Sequence, residues 1–230
     1  MGVLDFCFPF YTCMVCKTEL NNPKSIYLCD VCAEELPYNT EPIELVNREE
    51  KQYFMRAMAP FVYGGVIKKL ILKLKHGNDG QVAELFAPFL SASIRRPGTN
   101  HPDADKAHIR SCFASAGCLV PVPLCVKRHK MRGYNQALLL ANAVGRYLDM
   151  PVENALTRVR ETTVQKKMSP KERAENVRGA FAVTPGANIA GRSFILVDDV
   201  FTSGSTANEC AKTLTDAGAQ SVDVLVVARV

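Results

Sequence analysis

Phe194-Ile195-Leu196-Val197-Asp198-Asp199-Val200-Phe201-Thr202-Ser203-Gly204-Ser205-Thr206 is the stretch on which the fold turns. Residues 194–197 read as a buried strand, with two carboxylates at its C-terminal end. A hydroxyl- and glycine-rich loop follows. Behind it Ala207, Cys210, Ala211, Leu214 and Ala217 recur at helical intervals, and Gly218 stops the helix. α/β proteins hold phosphates where a strand tip leads into a helix N-terminus, because free amides and the helix dipole point at an anion there. Ser203, Ser205 and Thr206 add hydroxyls, and Gly204 lets the backbone approach closely. No lysine follows Gly204, which argues against a Walker A nucleotide loop. Asp198 and Asp199 would repel a bare phosphate. They suit a ligand that carries a phosphate together with a diol or a metal ion.

Working outward, Val222 to Ala228 reads as a final buried strand, and Leu119 to Leu124 as a short one whose Pro121 and Pro123 place it at a strand end. Residues 137–148 form an amphipathic helix with Ala137, Leu140, Ala141, Val144 and Leu148 inward, and another short strand lies within 151–159. Ser169-Pro170-Lys171-Glu172 is a capping box with proline at the first helical position. Upstream, 54–63 reads as a strand ended by Gly64-Gly65. Ile67, Leu70, Ile71 and Leu74 mark one helix and Val82, Leu85, Phe86 and Phe89 a second, separated by the turn His76-Gly77-Asn78-Asp79-Gly80. Residues 96–108 read as a loop. Alternating strands and helices predict a mostly parallel sheet. The expected division is a cysteine module at 1–37, a linker at 38–50, a helical hood at 51–111 and an α/β core at 112–230.

With 230 residues and 47% hydrophobic content, the composition is that of an ordinary globular chain. No apolar run reaches the roughly 20 residues of a membrane helix, and the apolar start contains Asp5 without a basic flank, so a cytoplasmic location is expected. The net charge of +5 is uneven: residues 127–178 hold 12 Lys and Arg against 5 Asp and Glu. That segment lies just upstream of the phosphate loop. A polyanionic small molecule or nucleic acid would match it, a solvated basic surface being the plain alternative.

Cys13-x2-Cys16 and Cys29-x2-Cys32 stand 12 residues apart. Two such knuckles bring four thiolates to the corners of a tetrahedron, which suits Zn²⁺. Two disulfides or unrelated thiols are the competing readings. A reducing compartment disfavours disulfides, and the sequence between the pairs is too short and polar to bury a core, so metal binding would supply most of the folding free energy. With all four positions filled, the metal is structural. Cys7, Cys112, Cys118, Cys125 and Cys210 read as small buried residues.

Two further segments complete a candidate site. Lys127-Arg128-His129-Lys130-Met131-Arg132-Gly133-Tyr134-Asn135-Gln136 reads as a basic loop at a strand end, suited to a diphosphate. Residues 158–178 are polar without an apolar face, as a lid over a charged ligand would be.

The 198–206 motif after an apolar strand resembles the binding signature of type I phosphoribosyltransferases for phosphoribosyl diphosphate (PRPP). Together with the four-cysteine start, Arg132-Gly133-Tyr134-Asn135-Gln136 and the segment Gln165…Ser169…Glu172-Arg173…Asn176-Val177-Arg178-Gly179-Ala180-Phe181, it is similar to the ComF family over nearly the whole chain. The resemblance implies roles. Asp198 and Asp199 would hold the ribose hydroxyls, directly or with Mg²⁺. Val200 to Phe201 lead into Thr202, Ser203, Gly204, Ser205 and Thr206, which would cradle the 5-phosphate. Lys127, Arg128, Arg132, Gly133, Asn135 and Gln136 would face the diphosphate, with Arg132 also catalytic alongside the two acids. Arg158 and Gln165 would belong to the covering loop. Ser203 stands where threonine is more usual, and Thr202 where purine-salvage members carry a carboxylate. The implied activity is phosphoribosyl transfer from PRPP to an unidentified nitrogen acceptor, with a role in DNA uptake during natural transformation. The alternative is a non-catalytic PRPP sensor whose zinc module and basic segment contact single-stranded DNA or a helicase; Tyr134 alone makes a poor base-stacking platform.

Overall fold

A computed structural model describes residues 12–20, 27–41, 43–45, 50–77, 80–95, 118–162 and 168–230. Cys7, Cys112, Gln165, the turn residues Asn78 and Asp79, and the segment 96–108 lie outside these residues.

The central sheet is parallel throughout. Strand β6 (Ser193–Phe201) pairs with β7 (Ser221–Arg229) on one side and β3 (Cys118–Pro121) on the other, while β1 (Ala57–Met58) and β2 (Phe61–Val62) both pair with the far edge of β7. The expected strand over 54–63 is thus two short pieces interrupted at Ala59-Pro60, since proline has no amide to donate to a ladder. A separate antiparallel pair joins β4 (Leu156–Arg158) to β5 (Phe181–Val183).

Strand periodicity divides the core. Ile195 and Val197 face one buried cluster, shared with α2 (Gly65–His76), α3 (Gly80–Arg95) and α5 (Gln136–Leu148). Phe194 and Leu196 face the other, which includes Cys210, Ala211 and Leu214 of α7 (Ser205–Asp216). Near-continuous apolar strands covered on both faces are what a parallel sheet demands. Cys13, Met14, Leu28, Cys32 and Leu36 join the first cluster, beside the short helix α1 (Asp30–Glu34), so the cysteine module packs into the main body.

One sequence expectation needs correction. The basic stretch after β3 is not a loop over its whole length: Val126–Arg132 forms helix α4, closed by Gly133 in the left-handed region at φ 77°. Lysine, arginine and methionine are good helix formers, but α4 buries none of its residues and so carries no apolar periodicity to reveal it. Within the polar stretch 158–178 the short helix that the capping box announces is present. This is α6 (Pro170–Val177), begun by the expected capping box in which Ser169 and Glu172 satisfy each other's backbone amides. Helix α6 lies against α7 and buries Val177.

Candidate functional site

The site forms where the ladder between β3 and β6 stops. Their last register pair is Pro121 with Val197, and one further bond runs from the Val122 amide to the Val197 carbonyl at 2.9 Å. β6 continues to Phe201 on β7 alone. Its free edge then borders a cleft of about 400 Å³ at the carboxyl ends of the strands. Ligands of open α/β sheets bind at such a point.

Adjacent residues on a strand reach opposite faces, and the two acids accordingly meet different partners. Asp199 is buried, and its Oδ2 lies 3.1 Å from Lys75 Nζ on the last turn of α2. The approach lacks hydrogen-bond alignment, and Oδ2 has no hydrogen-bond donor. Asp198 accepts from the Asp199 amide at 2.8 Å. Burial, reinforced by the charge of Asp199, pushes its carboxyl up to about 7, with Lys75 and Arg158 opposing. Beneath it, burial and the proximity of Asp198 push the Cys210 thiol well up, so Cys210 is an inert part of the core.

The loop after the acids is built to present amides. Gly204 caps α7 at φ 81°, and a Cβ there would lie 2.5 Å from Phe201 Cζ and 2.6 Å from Leu45 Cδ2. Only glycine fits. The Ser203 and Ser205 hydroxyls are buried and 2.9 Å apart, whereas Thr202 and Thr206 are more open to the cleft. Behind the loop, Asn208 is 1% exposed. It accepts from the Tyr53 amide at 2.8 Å and donates to the Lys51 carbonyl at 2.9 Å, strapping residues 50–53 to α7. Sequence reasoning passed over Asn208. Its only signal was a polar residue within the apolar stripe of a helix.

The predicted residues divide cleanly. Asp198, Asp199, Thr202, Ser203, Ser205, Thr206, Arg128, Arg132, Gln136 and Arg158 all line the cleft. Val200 and Phe201 instead pack into the core, Phe201 edge-on to Phe54. Lys127 faces outward, its amide donating to Glu161. Gly133 and Asn135 shape the wall: Asn135 caps α5 by accepting from the Ala137 amide and donates to the Val122 carbonyl at 3.0 Å. Arg132 is steered by Gln136 Oε1 at 2.9 Å, and the Tyr134 hydroxyl donates to the Leu74 carbonyl at 2.7 Å. Arg158 stacks over Phe181 at 5.2 Å and bonds Thr162; its burial lowers the guanidinium pKa. Lys75, Arg173 and Asn176 line the cleft as well. Five cations therefore converge on two acids, a balance that suits a phosphorylated ligand, and two hard oxygen donors beside the glycine–hydroxyl loop could hold a divalent cation.

In the cysteine module the Sγ atoms of Cys13, Cys16, Cys29 and Cys32 lie within 4.8 Å of one another. Cys16 and Cys29 are 3.6 Å apart, near the roughly 3.8 Å edge of a tetrahedral zinc–thiolate site. The Thr18 hydroxyl and amide bring the exposed Cys16 thiol down to about 6. Burial opposes ionisation of Cys13, but the amides of Cys16, Cys29 and Val15 outweigh it and lower its pKa. The donor set can hold a metal ion. Among the described residues, no helix is long and apolar enough to cross a membrane.

A family model for the phosphoribosyl transferase domain matches residues 135–230. Competence protein F of Haemophilus influenzae is 31% identical over 219 residues, covering 94% of this chain and 90% of that protein. DNA utilization protein YhgH of Escherichia coli K12 is 28% identical, covering 94% and 89%. Competence protein ComFC of Bacillus subtilis is 28% identical, covering 69% and 57%. Among solved structures, glutamine PRPP amidotransferase of B. subtilis matches with a TM-score of 0.39 at 15% identity, covering 66% of this chain and 30% of that one. A hypoxanthine phosphoribosyltransferase of Staphylococcus aureus matches with 0.36 at 11%, covering 62% of each. The chain thus spans less than two thirds of either solved protein. With a parallel sheet that ends in an acid pair and a glycine–hydroxyl loop, and a relative matched almost end to end, this chain belongs to the ComF family of the type I phosphoribosyltransferase superfamily.

Proposed function

We propose that the cleft binds PRPP and transfers its phosphoribosyl group to a nitrogen acceptor. The observation that carries this reading is the convergence of Asp198 and Asp199, the N-terminus of α7 and the Arg128–Arg132 wall on one cavity. Amides and hydroxyls of 202–206 take the 5-phosphate, the acids take the ribose diol, and Arg128, Arg132 and Arg158 take the diphosphate. In the transfer, the acceptor's nitrogen lone pair forms the bond to C1. The C1–O bond breaks, and diphosphate departs with its electron pair. The acceptor's proton passes to solvent. Arginines fixed before the reaction stabilise the charge that builds on the leaving group. Asp198 and Asp199 would hold Mg²⁺, which when bound supplies further neutralisation of that charge. Zn²⁺ would be held by Cys13, Cys16, Cys29 and Cys32 as a structural ion. The names of the curated relatives support a cellular role in DNA uptake, and we place the protein in the cytoplasm. On this reading the chain divides into a zinc module at 1–37, a linker at 38–50, a hood at 51–111 and a phosphoribosyltransferase core at 112–230.

Helix α4 supports a second reading. It turns Lys127, His129 and Lys130 outward with none of its residues buried, a surface suited to single-stranded DNA or an acidic partner. There PRPP would be a regulatory ligand. Calorimetry with PRPP and Mg²⁺ tests the site: Asp198→Asn with Asp199→Asn should abolish binding, and unchanged affinity would refute it. Diphosphate release across nucleobases, ammonia and glutamine tests the activity. Release with none of them, while PRPP still binds, would favour the sensor.

A further inference from the structure

Lys75 is a cleft cation contributed by α2, from the side of the sheet opposite α7. Its place is set on two sides: Leu74 is fully buried, and the Leu74 carbonyl accepts the Tyr134 hydroxyl at 2.7 Å. The last turn of α2 is thereby fastened to the turn that carries Arg132. Nζ lies 3.1 Å from Asp199 Oδ2, with side-chain exposures of 23% and 8%. A buried carboxylate needs a compensating charge, and among the described residues the ion partner of Asp199 is the compact ammonium of Lys75, on a flexible stem and without hydrogen-bond alignment. An arginine would lock such a carboxylate with a planar fork; an ammonium is held by charge alone and can leave.

Resting on the reading that the acid pair serves a PRPP–metal complex, we propose that Lys75 is the resident counter-ion of Asp199 and competes with the divalent cation for it. A divalent ion arriving alone meets a positive charge already on the carboxylate, so it binds weakly. An anionic diphosphate draws the ammonium away and brings its own oxygens to the ion. Metal and ligand then bind cooperatively, and the empty cleft does not collect metal ions.

The test titrates the full chain with Mn²⁺, a hard ion poorly matched to thiolates, and follows the free-ion signal by electron paramagnetic resonance. Lys75→Met should tighten Mn²⁺ binding in the absence of PRPP by tenfold or more. In the unsubstituted chain PRPP should tighten Mn²⁺ by a similar factor, and Lys75→Met should shrink that enhancement. Lys75→Arg, which keeps the charge, should leave Mn²⁺ alone bound weakly, and Lys75→Met with Asp199→Asn should lose the gain. Circular dichroism confirms folding of each variant. Equal or weaker Mn²⁺ binding by folded Lys75→Met overturns the inference. Failure of PRPP to bind the unsubstituted chain would instead overturn the proposed function, while the comparison with Mn²⁺ alone still decides the role of Lys75.

Discussion

In the N-terminal module four sulfurs contributed by residues 13–32 lie within 4.8 Å of one another. The cleft instead gathers its charges from positions as far apart as Lys75 and Asp199. The first site is assembled over a short stretch of chain, and four thiolates held so close would repel one another without a cation between them. The second is assembled by sheet register, with β3 ending at Pro121 and β6 running on, so its shape precedes any ligand. Local sites are made by what they bind, whereas distributed sites are made by the core.

Removing the proposed zinc should separate the two regions most sharply. Chelation should lower the melting temperature by about 10 °C or more, because structural zinc supplies several kcal/mol and Cys13, Met14 and Leu28 share a core cluster with α2 and α3. A melting curve that does not move under chelation would break the comparison. Gly204→Ala attacks the cleft through its backbone. A left-handed φ and two contacts below 2.7 Å should cost about 3 kcal/mol in urea unfolding and weaken PRPP binding, leaving the metal content unchanged.

The pH dependence of the ligand-free protein probes the acid pair. Asp198 is raised from 3.8 to about 7, so the folded state binds its proton more tightly than the unfolded chain does. Its stabilising contribution is complete below about pH 4 and is lost as pH rises through about 7. Its loss should amount to something on the order of 4 kcal/mol. Asp198→Asn should flatten that part of the stability profile; an unchanged slope would show that the carboxyl titrates normally. The smallest effect is expected at the rim. Ser169→Ala removes half of the α6 capping box and should cost about 1 kcal/mol in thermal unfolding without altering the metal site.

The residues themselves explain why some features were legible in the sequence and others were not. The four cysteines, the strand 194–197, the Ser169 capping box and the Gly204 turn depend on spacing within a few residues, and local stereochemistry suffices to read them. Helix α4 was hidden because amphipathic periodicity reports burial, and α4 has none. The ion pair of Lys75 with Asp199 spans 124 positions, and the bonds of Asn208 to 50–53 span more than 150. No local pattern encodes either. Chemistry and local conformation were thus determined by sequence alone: thiolate spacing, acids at a strand tip, a glycine before a helix. Which cations face those acids, and from which face of the sheet, was decided only when alternating side chains on β6 met two different helical layers, because pairing register and layer packing depend on the whole core at once.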